Sequence, residues 1–143
     1  MLSLSCKTAI KAVVYLASQP ADSAKPSIKE IAGFINASEH SVGKLLQALV
    51  KGAVINSTKG PNGGFYISEK QKEQPLINIV KEIDGLEIFN ECGLGFSKCS
   101  ASHPCPMHQD YKPVRDLFRK VCKQKTISDL CATVNGGLSY LIG

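Results

Sequence analysis

Residues 27–68 read SIKEIAGFINASEHSVGKLLQALVKGAVINSTKGPNGGFYIS, and the architecture follows from this stretch. Ser27 and Glu30 have the spacing of a capping box, in which the hydroxyl accepts from the Glu30 backbone N–H and the carboxylate reaches back. Ile28, Ile31, Ala32 and Ile35 then form one face of a short helix, and Asn36-Ala37 makes a tight turn. Ser38 is a second N-cap, opening a helix with Val42, Leu45, Leu46, Leu49 and Val50 on one side. Gly52 is expected to end it in the left-handed conformation. Two short helices joined this way are a helix-turn-helix. Val54–Ser57 and Phe65–Ser68 read as strands around Thr58–Gly64, giving a hairpin with a glycine-rich tip, a wing.

That arrangement reads nucleic acid. Ser38, His40, Ser41 and Lys44, at the start of the second helix, are the candidate contacts with the major groove and its flanking phosphates. Lys59, Gly60, Asn62, Gly63 and Gly64 are the candidates on the wing, where glycines let backbone N–H groups approach an anion. Charge agrees. Of the net +5, residues 1–70 carry +4 and residues 71–143 only +1, so the basic half is the one with the wing.

Outward from this stretch, residues 2–18 have the apolar spacing of a helix that ends before Pro20. Pro75 opens another, striped by Leu76, Ile79, Val80 and Ile83. Met107, Tyr111, Val114, Phe118 and Val121 are spaced 4, 3, 4, 3, a heptad seam that suits a dimerisation helix. Pro113 interrupts it, which predicts either a kink or a helix beginning near Lys112. Thr126-Ile127-Ser128-Asp129 caps a last short helix. The expected fold is mainly α with a small β-wing: a winged helix-turn-helix over 1–70, then a loop and dimerisation helix over 71–143. A chain of 143 residues buries only about two-thirds of its surface on folding, so a homodimer would add stability.

Between the two apolar helices, Glu91–Pro106 has no period and is too long for a plain connector. It holds Cys92, Cys99 and Cys105, with His108 just beyond. Three thiols and an imidazole supply four donors for a soft or borderline metal, or for a cluster. Structural zinc uses the same donors, and spacing does not separate it from iron–sulfur. Lys98 is a loop lysine near this group, and His103 a spare donor beside Pro104. Cys6, Cys122 and Cys131 lie singly in helical segments and read as ordinary thiols. Nothing suggests an enzyme: no nucleophile–base pair is evident, and no phosphate loop follows a strand. No apolar run approaches the roughly 20 residues that span a bilayer, and the N-terminus lacks a secretory pattern, so a cytoplasmic protein is expected.

Together these segments resemble the Rrf-two superfamily of bacterial winged-helix regulators, along nearly the whole chain. Ile31-Ala32 leading to Ser38, Leu45-Leu46-x-x-Leu49, the wing Lys59–Phe65 and the three-cysteine loop before a long helix carry the resemblance. It implies a homodimer crossed through the C-terminal helix, a palindromic double-stranded operator, and Cys92, Cys99 and Cys105 as cluster ligands. His108 matches the histidine that completes a [2Fe-2S] site in one branch, which favours that cluster over [4Fe-4S]. A nitric-oxide-sensing branch takes an acidic ligand from the partner's first helix, where this chain has Cys6-Lys7-Thr8. The resemblance also includes a branch without iron, controlled by thiols or a protein partner, with zinc a further alternative. Two positions depart from the family's pattern. Gly52-Ala53 stands where Ala-Gly is usual, and Gly43 where one branch has a discriminating Glu.

Overall fold

A computed structural model describes residues 1–143. The first helix, α1 (Leu4–Ala17), is capped by Ser3, whose hydroxyl accepts from the Cys6 N–H. It buries Cys6, Ala9, Ala12, Val13, Leu16 and Ala17, and becomes the axis about which the rest packs. Next come α2 (Ile28–Ile35) and α3 (Glu39–Lys51), the helix-turn-helix. Ser27 accepts from Glu30 N at 3.2 Å, but the Glu30 carboxylate takes the Ser27 hydroxyl, not its backbone N–H, so only half the capping box forms. Asn36 closes α2 in the left-handed region at φ 55°, a conformation asparagine tolerates.

The end of α3 corrects the expectation for Gly52. That residue is at φ −82°, and the left-handed position falls one residue later, on Ala53 at φ 59°. A Cβ on Gly52 would sit 2.3 Å from Cδ of Glu82.

The wing strands β1 (Asn56–Thr58) and β2 (Gly64–Tyr66) pair antiparallel, with Ser57 opposite Phe65. They are shorter than the sequence suggests because Val54, Ile55 and Ile67 turn into the core, at 1%, 1% and 9% exposure. A single turn, α4 (Glu69–Lys72), follows within what reads as a spacer, held by a complete capping box between Ser68 and Gln71. Then come α5 (Ile77–Ile83), a 3-10 turn at Glu87–Phe89, α6 (His108–Gln124) and α7 (Ile127–Asn135), the last capped by Thr126 and Asp129. Backbone bonds from Leu76 N to Lys125 O (2.7 Å) and Ile127 N to Gln74 O (3.0 Å) tie the α6–α7 junction to the start of α5. The core is one cluster running from Cys6 to Cys131, with residues from both sides of position 70.

Helix α6 begins at His108, ahead of Lys112, and runs through Pro113. Proline there removes one N–H, the partner of the Gln109 carbonyl, and that face is exposed. The heptad seam divides. Phe118 turns inward against Phe89, ring centroids 5.9 Å apart, while Met107, Val114 and Val121 stay 44%, 54% and 42% exposed, joined by Leu117, outside the expected seam, at 63%. No helix is long and apolar enough to cross a membrane.

Candidate nucleic-acid interface and metal centre

Capping puts the candidate α3 residues in the open. The Ser38 hydroxyl accepts from Ser41 N at 3.2 Å and donates to the Ser41 hydroxyl at 2.9 Å, which commits both side chains to the helix end. His40 and Lys44 are exposed on the same flank. Gly43 is not. It is buried against α2, where a Cβ would lie 3.4 Å from Cδ1 of Ile28, so position 43 faces inward in this chain.

Lys59, Gly60 and Asn62 form the exposed wing tip, with Gly60 at φ 101°. Gly63 and Gly64 have a structural duty. A Cβ on Gly63 would sit 2.3 Å from the Thr58 carbonyl oxygen, and one on Gly64 would sit 2.5 Å from that of Lys25. The second contact is close because Phe65 N donates to Pro26 O at 3.0 Å, docking the wing on the loop before α2. Lys25 reinforces this, its Nζ 4.5 Å from the Tyr66 ring centre and 3.4 Å from the Thr58 hydroxyl.

Gln71 fastens the base of the wing. Its Oε1 accepts from Asn56 Nδ2 (2.8 Å) and Ser68 N (2.9 Å), and its Nε2 donates to Asn56 Oδ1 (3.0 Å) and Ala53 O (3.2 Å). Sequence reasoning missed Lys25, Asn56 and Gln71. Only the Ser68-x-x-Gln71 spacing signalled one of them.

In the cysteine loop, Cys99 Sγ lies 3.3 Å from Nδ1 of His108, and the Cys92 and Cys105 thiols shift each other's pKa in opposite directions. Cys92, Cys105 and His108 are buried and Cys99 half-buried. As the loop stands, no three of these donors converge on a point that could hold a metal ion. Backbone N–H groups reach toward Cys92, with Leu94 N at 3.4 Å from its sulfur. These bonds, Leu94's first, hold the Cys92 thiol below its ordinary range, whereas burial pushes Cys105 up. Beside the loop, Arg115 on α6 is buried with its Nε unpartnered, a cation placed where an anionic group would be welcome. The donor set, three thiols and an imidazole, suits a thiolate-ligated centre.

The remaining thiols are separate. Cys6 is fully buried, and burial, with the Asp84 carboxylate and Cys122 nearby, pushes its pKa up to about 12. Cys131 donates to the Ala17 carbonyl at 3.2 Å, joining α7 to α1. His103 and Lys98 are exposed loop residues.

A family model named Rrf2, described as an iron-dependent transcriptional regulator, matches residues 2–133. The HTH-type transcriptional regulator NsrR of Halalkalibacterium halodurans is 27% identical over 122 residues, covering 85% of this chain and 83% of that one. Among solved structures, CymR, the global cysteine regulator of B. subtilis, superposes with a TM-score of 0.74 at 19% identity, over 92% of this chain and 96% of its own. IscR of T. potens gives 0.72 at 18% identity, over 98% and 92%. These structures share the fold. The matching family consists of transcription regulators that bind DNA and are not enzymes. This chain belongs to the Rrf2 family of transcriptional regulators.

Proposed function

We propose that the chain binds a palindromic operator as a homodimer, and that an iron–sulfur cluster held by Cys92, Cys99, Cys105 and His108 controls that binding. The observation that supports the cluster half is the contact of Cys99 Sγ with His108 Nδ1, with Cys92 and Cys105 buried in the same irregular loop. The resemblance of His108 to the histidine ligand of one branch of the family favours [2Fe-2S] over [4Fe-4S]. The bound cluster supplies a redox-sensitive bridge between residues 92 and 108. Cys92, Cys99, Cys105 and His108 would hold the cluster, and their ligation would tie the loop to the start of α6. The exposed Val114, Leu117 and Val121 of α6 suit a seam between two copies. A change in how α6 sits is then passed to the two DNA-binding heads. Ser38, His40, Ser41 and Lys44 read or flank the major groove, and Lys59, Gly60, Asn62, Gly63 and Gly64 follow the backbone. Control requires different operator affinities with and without the cluster.

The test is fluorescence anisotropy on an operator duplex, with cluster-loaded and chelator-stripped protein side by side. A change in affinity of fivefold or more is expected, the usual lower range of allosteric coupling being roughly 5-fold. Equal affinities would remove the control. One observation favours a second reading. Donors of which no three converge also suit a cluster-free regulator governed by thiol chemistry. That reading expects colourless protein whose operator binding responds to oxidant.

A further inference from the structure

Arg115 lies at the middle of α6, 5% exposed, with an Nε that has no hydrogen-bond partner. Its Nη1 donates to the Glu91 carbonyl at 2.8 Å, the peptide that leads directly into Cys92. One turn earlier, the Tyr111 ring lies so close to Gly93 that a Cβ there would come within 2.8 Å of it. Tyr111 and Arg115, at i and i+4, thus form a platform on α6 for Glu91–Gly93.

The charge on this flank is unbalanced. Asp116 Oδ1 is 3.7 Å from Nη2 of Arg115, but the same carboxylate is held by Lys112 at 2.6 Å and is 42% exposed. Arg119, one turn on, also has a buried Nε without a partner, and its guanidinium lies 5.9 Å from the Phe89 ring centre. Lys112 and Arg115 therefore share one carboxylate. A buried guanidinium with an unpaired N–H and a shared counter-charge is costly. It becomes favourable when an anion occupies the adjoining loop. Three thiolates on a metal centre are such an anion. Lys98, the loop's own lysine, is exposed and lacks this burial.

We propose that Arg115 is a positioning residue for the thiolate-ligated centre. Its guanidinium fastens the Glu91–Cys92 peptide to α6 and fixes a positive charge beside the anionic group the loop carries. This rests on the reading that the loop binds such a centre.

Arg115→Gln and Arg115→Lys test the two halves separately. In metal-free protein, hydrogen exchange of residues 91–95 reads the clamp. Arg115→Gln is expected to speed exchange there about tenfold or more, the size that loss of a charged hydrogen bond brings. Arg115→Lys keeps the charge but not the guanidinium's fixed fork, and is expected to speed it as well. In protein reconstituted with iron and sulfide, removing the cation disfavours the reduced, more negative centre. Arg115→Gln therefore shifts the midpoint negative, a tenfold change being about 59 mV for a one-electron couple. Arg115→Lys stays near wild type. Unchanged exchange in Arg115→Gln overturns the clamp, and an unchanged midpoint overturns the charge. If wild-type protein takes up no iron, the cluster reading and the charge both fail, while the exchange measurement still decides the clamp. If Arg115→Gln does not fold, by far-UV circular dichroism, Arg115→Lys decides the clamp: exchange equal to wild type overturns it.

Discussion

Replacing Ala53 by glycine stabilises this chain, and the structure sets the size. Ala53 holds φ 59°, a left-handed conformation that costs an L-residue about 1–2 kcal/mol. Glycine removes that cost but has a freer unfolded chain, which takes back about 0.4–1 kcal/mol. The net gain is about 0.5–1 kcal/mol. For a chain of this length that raises Tm by roughly 2–4 °C. Urea denaturation followed by circular dichroism should show a higher midpoint with an unchanged slope. Operator affinity should not move, because the Ala53 carbonyl keeps its bond from Gln71. The reciprocal Gly52→Ala meets the end of exposed Glu82, a flexible side chain that can swing aside. Combining Gly52→Ala with Ala53→Gly should therefore also give a chain more stable than wild type. A midpoint for Ala53→Gly at or below wild type would show that relief of a left-handed alanine is not the dominant effect.

Other outcomes follow from the wing and the caps. Lys59→Ala should weaken binding on all sequences alike and reduce the salt slope by about 0.9, as one lost phosphate contact does; titration at several salt concentrations checks it. Gln71→Ala strips partners from Asn56, Ser68 and the Ala53 carbonyl, so it should destabilise the chain by about 1–3 kcal/mol. Its operator affinity should fall without a change in base preference, read by anisotropy on a set of point-mutated duplexes. Asp129, the α7 cap, has a lowered pKa because it accepts first the Thr126 backbone N–H. A depressed carboxylate stabilises fully above its unfolded value near pH 4 and loses that contribution as pH falls through the lower, folded value. The gap between wild type and Asp129→Asn should therefore be widest at neutral pH and close in acid. A constant gap from pH 7 to pH 2 would contradict this.

The helix-turn-helix was legible in the sequence because its signals are local: Ser27 and Ser38 caps, and an apolar stripe in each helix that the fold then buries. The wing's existence was legible from its glycines, but not its attachment. Lys25 reaches Tyr66 and Gln71 reaches Asn56 across gaps that no periodicity reports. Ala53 shows the same limit in reverse: glycine's usual place at a helix end suggested Gly52, yet the left-handed residue is Ala53. In the loop, residue types and spacing marked Cys92, Cys99, Cys105 and His108. Arg115 was invisible, since an arginine on an amphipathic helix reads as surface until its burial is known.

Whether a cluster governs this regulator is decided by purifying the protein anaerobically and recording its visible spectrum with iron, sulfide and zinc analysis. A brown protein is expected, with iron and sulfide in matching amounts and loss of both in Cys99→Ser. A colourless protein holding zinc, or no metal even after reconstitution, would contradict cluster control and leave a thiol- or zinc-governed DNA binder.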